Sequence, residues 1–111
     1  MNGAVARTVA LCGAMSLLSG DALAACSSLA CDDEYIEQLR VEDNGNVYVT
    51  TSGDEALLNC TLYSGYITLS ASIAGTDRIY AALLSAKNQN ARMGRIRIVE
   101  GSSGCQVKYV W

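Results

Sequence analysis

The sequence predicts a small, mainly β domain, with five short strands and one helix between the third and the fourth. Three observations carry this. Apolar residues recur with a period of two in five stretches, which is the pattern of a strand with one buried face. The stretch after Gly75 changes to spacings of three and four, as a helix with one apolar face requires. Turn-forming clusters separate the stretches, and proline is absent throughout.

The first 24 residues read as a targeting segment and are set outside the fold, with Cys12 among them. Arg7 is the one charge ahead of the apolar run Thr8 to Leu18, which is too short to span a bilayer as a mature helix. Ser19-Gly20-Asp21 breaks the run, and Ala22-Leu23-Ala24 places small residues two apart, as a signal cleavage site does. Cleavage after Ala24 makes a soluble exported protein, periplasmic or secreted. Leu23-Ala24-Ala25-Cys26, followed by Ser27, also fits the box at which bacteria attach lipid to cysteine. That alternative makes the chain an outer-membrane lipoprotein, on the membrane only through Cys26. Taking 24 residues from 111 leaves 87, residues 25–111, as one domain. A domain of that size buries only about 60–65% of its unfolded surface and benefits from staples.

In chain order, Tyr35 to Val41 is the first strand, with Tyr35, Leu39 and Val41 on one side and Glu37 out of pattern. Asp43-Asn44-Gly45 is a hairpin signal between apolar alternations. The second strand, Asn46 to Thr51, points Val47 and Val49 one way and Tyr48 and Thr50 the other. Ser52-Gly53-Asp54 breaks it, and Glu55-Ala56-Leu57-Leu58 suits a short helical turn. The third strand runs from about Leu62 to Ser72. Ile67, Leu69, Ala71 and Ile73 share one face, and Tyr66, Thr68, Ser70 and Ser72 the other. Thr76 or Asp77 is the expected helix cap, and the helix ends near Gln89 or Asn90. Arg95-Ile96-Arg97-Ile98 alternates strictly as the fourth strand. Gly101-Ser102-Ser103-Gly104 turns the chain into the fifth, Cys105 to Trp111, with Val107, Tyr109 and Trp111 on one face. The order β-β-β-α-β-β is that of the OB-fold, a small five-stranded Greek-key barrel. The alternative with the same order is an open α+β sheet with one packed helix.

Composition removes several chemistries. The chain has no histidine, so Ser-His and Cys-His nucleophile pairs and His-ligated metals are excluded. No Walker loop or GxGxxG occurs, and no metal or cofactor is implied. A net charge of −3 argues against nucleic acid as a partner. Cys26, Cys31, Cys60 and Cys105 remain after the leader, an even number that favours two disulfides in an exported chain. Their spacing lacks the close CxxC pair of a zinc site, and spacing alone chooses none of the three pairings. Charge is segregated. Residues 32–55 are acidic but for Arg40, and residues 78–108 are basic but for Glu100. Either the two groups neutralise each other within the domain, or they steer head-to-tail self-association.

The strand alternations bring Tyr48, Thr50, Tyr66, Thr68 and Ser70 together on one outer face. Rings and hydroxyls in that arrangement suit a sugar. Ordinary solvent-facing strand residues and a face buried between subunits are the alternatives. Arg95 and Arg97 side by side suit an anionic group such as a carboxylate, or serve as solubilising edge charges. Trp111 and Tyr109 either form a platform or close the core. Asp54 and Glu55 are the acidic pair beside a glycine, but without a base or cleft they do not make a glycosidase.

The chain resembles small secreted proteins of Gram-negative bacteria related in outline to the B subunits of subtilase-cytotoxin and pertussis-like toxins. The resemblance is carried by Cys31 ahead of IEQLRVEDNGNVYV, then GDEALLNC, YITL, IYAALLSAKNQN, RIRIVEGSSGC and the terminal YVW. It implies an OB-fold, export, disulfides and, more loosely, a homopentameric ring that binds glycans. It places Cys31 in the family position before the first strand, with Cys26 an extra; Cys31 is expected to pair with Cys60 or Cys105, whose loops can approach the start of that strand, and Cys26, where free, with whichever remains. The expected function is thus a non-enzymatic binding module for a glycan or protein ligand. The alternative is a small periplasmic or surface-held inhibitor or envelope protein.

Overall fold

The computed structural model describes residues 25–111, so the targeting segment and Cys12 lie outside the described residues. Along these residues run β1 (Ala25–Ser27), β2 (Ala30–Val41), β3 (Val47–Thr51), β4 (Ile67–Leu69), α1 (Thr76–Asn88), β5 (Arg92–Ile98) and β6 (Val107–Val110). The five expected strands are β2 to β6. β1 is an addition, folded back on the start of β2 as a short hairpin.

The sheet order is β4-β3-β2-β5-β6, every neighbouring pair antiparallel. β2 is the central strand and changes partner midway. Ala30 to Tyr35 pair with β5, and Ile36 to Val41 pair with β3. A strand shared in this way has to bend, and β2 does so with a bulge at Glu37, between Ile36 and Gln38. The sheet therefore curls. Its two edges meet where the Thr68 N–H donates to the carbonyls of Gly104 (3.0 Å) and Cys105 (3.1 Å), in a parallel bridge between Thr68 and Gln106. This is the OB-like order expected from the sequence, curled into a half-barrel with the helix between the third and fourth barrel strands.

The bulge explains why Glu37 is out of pattern, and it corrects the first strand's facing. Glu34 and Ile36 are buried on the N-terminal side of it, while Tyr35 is exposed. A second displaced residue does the same to the last strand. Arg97 pairs with Tyr109 but Ile98 pairs with Val107, so Lys108 has no partner. Val107 and Val110 therefore turn inward, and Tyr109 and Trp111 turn out beside the arginines. The expected single face for Val107, Tyr109 and Trp111 does not form, and Trp111, 68% exposed, does not close the core.

Turn chemistry sets the remaining boundaries. In the Asp43-Asn44-Gly45 hairpin only Gly45 takes a positive φ (88°), which marks a three-residue loop with a left-handed glycine. The long third strand is an overestimate. Ser64 and Gly65, at φ 49° and 85°, form a two-residue turn between Tyr63 and Tyr66, whose backbones exchange hydrogen bonds of 3.0 and 2.9 Å. The strand proper is only Ile67–Leu69, so Ser70 stands just beyond it. α1 begins after Gly75 without a side-chain cap. Thr76 instead donates its hydroxyl to the Ser70 carbonyl, so neither expected residue caps the helix. The C-terminus closes on left-handed Asn90, with Ala91 N–H bonded to Ala86 O and Asn90 N–H to Lys87 O.

The core is aliphatic. Val49, Ile67, Leu69, Leu83, Ile96, Ile98 and Val107 have no exposed surface, and each such side chain contributes on the order of 1.5–3 kcal/mol by its removal from water. α1 supplies Leu83 and Ala86, with Ile79 and Tyr80 packed at the margin.

Candidate functional site

Two disulfides tie the half-barrel, Cys26–Cys31 and Cys60–Cys105. The expected partner of Cys31 was Cys60 or Cys105, and the structure overturns this. β1 places Cys26 directly opposite Cys31 in the antiparallel register, with Cα atoms 3.8 Å apart. Without β1 in view, four intervening residues gave no sign of a strand pairing. Both cysteines of that bridge are buried, beside the Glu34 carboxylate, which accepts from Ser52 Oγ at 2.5 Å. Gly53 makes the room, since a Cβ there would stand 2.6 Å from Glu34 Oε2.

The predicted hydroxyl and tyrosine wall forms on the outer face of β3 and β4, but it is layered. Tyr48 and Thr68 oppose each other across the strands and are 6% and 4% exposed, against the expectation that both face solvent. Over Tyr48 the cover is the turn that the sequence hid. Tyr63 lays its ring on Tyr48 at 4.8 Å with 19° between planes, and Tyr66 meets Tyr48 edge-on at 6.2 Å. Offset and edge-on pairs of this kind are the favoured geometries for aromatic rings. Tyr63 remains 53% exposed on top of the stack. Tyr66 OH donates to Gln38 Oε1 at 2.9 Å, and Thr50 lies half-buried next to Tyr48. Arg40, paired with Glu42 at 2.8 Å, stands across from Tyr48 on β2. The arrangement presents one ring, braced from below, with amide, hydroxyl and guanidinium groups beside it. Sequence reasoning missed Tyr63, although the Ser64-Gly65 dipeptide was its signal.

The outer face of β5 and β6 is built from charge. Arg95 binds Asp32 with two hydrogen bonds, Nε to Oδ1 at 2.7 Å and Nη2 to Oδ2 at 3.1 Å. It also lies 5.9 Å from the Trp111 ring centroid, and Arg92 lies 5.0 Å from that of Tyr35. The Tyr109 phenol is held below its ordinary range, first by a hydrogen bond with Arg95 and further by Arg97, with desolvation opposing. Asp32 and Arg95 are the one acidic and basic pair from the two charged segments that meet in an ion pair among the described residues.

Asp54 and Glu55 are occupied structurally. Asp54 Oδ1 caps the single 3₁₀ turn Glu55–Leu57 at Ala56 N–H (3.1 Å), and Glu55 accepts from the Thr51 backbone at 2.8 Å and from its hydroxyl. A concavity of about 390 Å³ lies beyond the ends of β3 and β4, between Gly45, Ala71–Ala74, Thr76 and Asp77. Its walls are small residues apart from Ile73 and Asp77, and Asp77 is their one charge.

Comparison of the chain with family models, curated proteins and solved structures returned no match.

Proposed function

We propose that this chain is an exported, non-enzymatic binding module that takes a glycan on the outer face of β3 and β4. The observation that carries this reading is Tyr63, a ring 53% exposed yet stacked on a buried tyrosine. A ring held in place before a ligand arrives loses little freedom on stacking against the C–H face of a sugar. Gln38, Thr50 and Arg40 stand where sugar hydroxyls need partners. A non-enzymatic role agrees with a chain that lacks histidine and whose Asp54 and Glu55 are engaged in a turn.

Two disulfides fit an oxidising, exported setting. No helix among the described residues is long and apolar enough to cross a membrane. The bond between Cys26 and Cys31 supports the reading in which Cys26 carries no lipid and the exported protein is soluble, in the periplasm or outside the cell. The toxin-B-like resemblance adds a ring of five copies, which would multiply a weak single-site affinity.

A glycan array with the native protein and Tyr63→Ala tests the reading. Native protein should bind a defined set of glycans, and the variant should lose at least about tenfold of that binding, since stacking of a ring is worth roughly a kcal/mol or more. A blank array sinks the reading in favour of an inhibitor or envelope protein, and elution as a monomer at micromolar concentration sinks the ring.

A further inference from the structure

We propose that Asn44, in the hairpin between β2 and β3, is a site of self-modification. Its side-chain amide is lost through a cyclic imide and becomes a carboxylate. The reaction uses only the chain and water, and it is independent of the glycan face.

Asparagine is a thermolabile residue, and the residue after it decides how fast it reacts. The attacking group is that residue's backbone amide, and a side chain there obstructs the approach, so glycine is the favoured successor. Among the described residues the asparagines are Asn44, Asn46, Asn59, Asn88 and Asn90, followed by Gly45, Val47, Cys60, Gln89 and Ala91. Asn44 is the one that precedes glycine, and both residues of the pair are exposed. The chain's other Asn-Gly pair, Asn2-Gly3, falls in the targeting segment.

The step balances without an oxidant. The Gly45 amide gives up its proton and its nitrogen bonds to Asn44 Cγ. The bond from Cγ to Nδ2 breaks, and Nδ2 leaves as ammonia. Water then opens the imide at either carbonyl. One product is an ordinary aspartate, and the other is an isoaspartate, in which the side-chain carbon has joined the backbone.

Surface hydrogen bonds set the rate. Asn44 Oδ1 accepts from the Asn46 N–H at 2.9 Å, which folds the carboxamide back along the turn. The Gly45 N–H donates to the Glu42 carbonyl at 2.9 Å, and this bond has to open before attack. Ala71 N–H donates to Asn46 Oδ1 at 2.9 Å and holds the tip against the chain leading to α1. Each such bond favours the closed tip by about fivefold. The folded site should therefore react roughly tenfold to a hundredfold more slowly than the unfolded chain. A route through global unfolding would be slower by about a thousandfold or more.

The product changes the surface around it. A Cβ at Gly45 would stand 3.0 Å from Ala71 Cβ, so the tip has no room for an added backbone carbon. Isoaspartate must lift the tip off Ala71, and these two residues wall the concavity beyond β3 and β4.

The exported protein is incubated at mildly alkaline pH beside its reduced, urea-unfolded form, and both are followed by peptide mapping with isoaspartate detection. Asn44 should convert before any other asparagine, roughly tenfold to a hundredfold more slowly than in the unfolded chain. Asn44→Gln should remove the early product. Asn46→Ala, which releases the tip from Ala71, should speed conversion by about fivefold. The isolated isoaspartate form should exchange its Ala71 N–H with solvent faster than the native protein does. Earlier conversion at another asparagine would overturn the proposal. So would a folded rate about a thousandfold or more below the unfolded one, a rate that follows the unfolded fraction as urea is raised, an Asn46→Ala variant converting at the native rate, or an Ala71 N–H equally protected in both forms.

Discussion

The two outer faces of the half-barrel share β2 and treat their aromatic rings in opposite ways. On the β3–β4 side, rings stack on rings. Tyr63 covers Tyr48, Tyr66 meets Tyr48 from its edge, and Thr68 is buried beside Gly104. On the β5–β6 side, rings lie against guanidinium groups, Trp111 beside Arg95 and Tyr35 beside Arg92, and the layer stays open. The difference follows from what the neighbouring chain supplies. The long segment between β3 and β4 returns as a roof over the first face. On the second face the rings lie against guanidinium groups, so charge keeps its aromatics ordered. One face is therefore held by burial and the other by electrostatics, and each should fail under a different perturbation.

The largest expected effect concerns the staples, one to each half. Cys60–Cys105 closes a sequence separation of 45 residues beside the roofed face, and Cys26–Cys31 closes only 5 at the start of β2. Loop-closure entropy assigns the long bridge about 4 kcal/mol and the short one about 2. Replacing Cys60 and Cys105 together by serine should lower urea-unfolding stability about twice as much as replacing Cys26 and Cys31. For a domain whose total is on the order of 5–10 kcal/mol, the first loss is close to unfolding. Equal losses would show that the two halves are not separately held.

A smaller contrast lies inside the roofed face. Tyr48 is buried and Tyr63, directly above it, is half in water. Tyr48→Ala opens a cavity and should cost about 3 kcal/mol. Tyr63→Ala removes only the upper layer and should cost no more than about 1. Denaturation of the two variants in parallel gives the ranking, and a reversal would mean that the stack is held from the top. The Tyr63 variant then stays folded, as the array comparison needs.

Much of this fold was legible in the sequence, because alternation and turn residues state it locally. The strand order, the Asn-Gly hairpin, the helix after Gly75 and the buried Ile96 and Ile98 all follow from patterns only a few residues long. What escaped was set by single residues that shift a register. Glu37 on β2 and Lys108 on β6 each displace the alternation by one, and one residue is enough to exchange inside for outside. Tyr35, Tyr109 and Trp111 changed faces for that reason. The Cys26–Cys31 bridge escaped because a three-residue strand is too short to show a period. Of the candidate site, Tyr48, Tyr66 and Thr68 were placed on the right face, but Tyr48 and Thr68 lie deeper than expected. The depth of Tyr48 depends on the Ser64-Gly65 turn, which brings Tyr63 over it from outside the strand.

The smallest effect separates the charged face by titration. Arg95, and with it Arg97, favours the ionised form of Tyr109, so its folded pKa lies below the unfolded value. Below the folded value both states keep the proton and the pair adds nothing to pH-dependent stability. As pH rises through the folded value the ionised form favours the native state, and the gain is complete once pH passes the ordinary phenol range. The phenol absorbance of the native protein should therefore show an early alkaline component that Tyr109→Phe removes. Arg95→Gln should move that component up toward the ordinary phenol pKa, and Tyr63→Ala on the opposite face should leave it in place. Salt should move it the same way as Arg95→Gln, because an exposed pair is screened. If the early component survived Tyr109→Phe, the open face would not be ordered by its arginines, and Trp111 would owe its position to its seat against Gly94 alone.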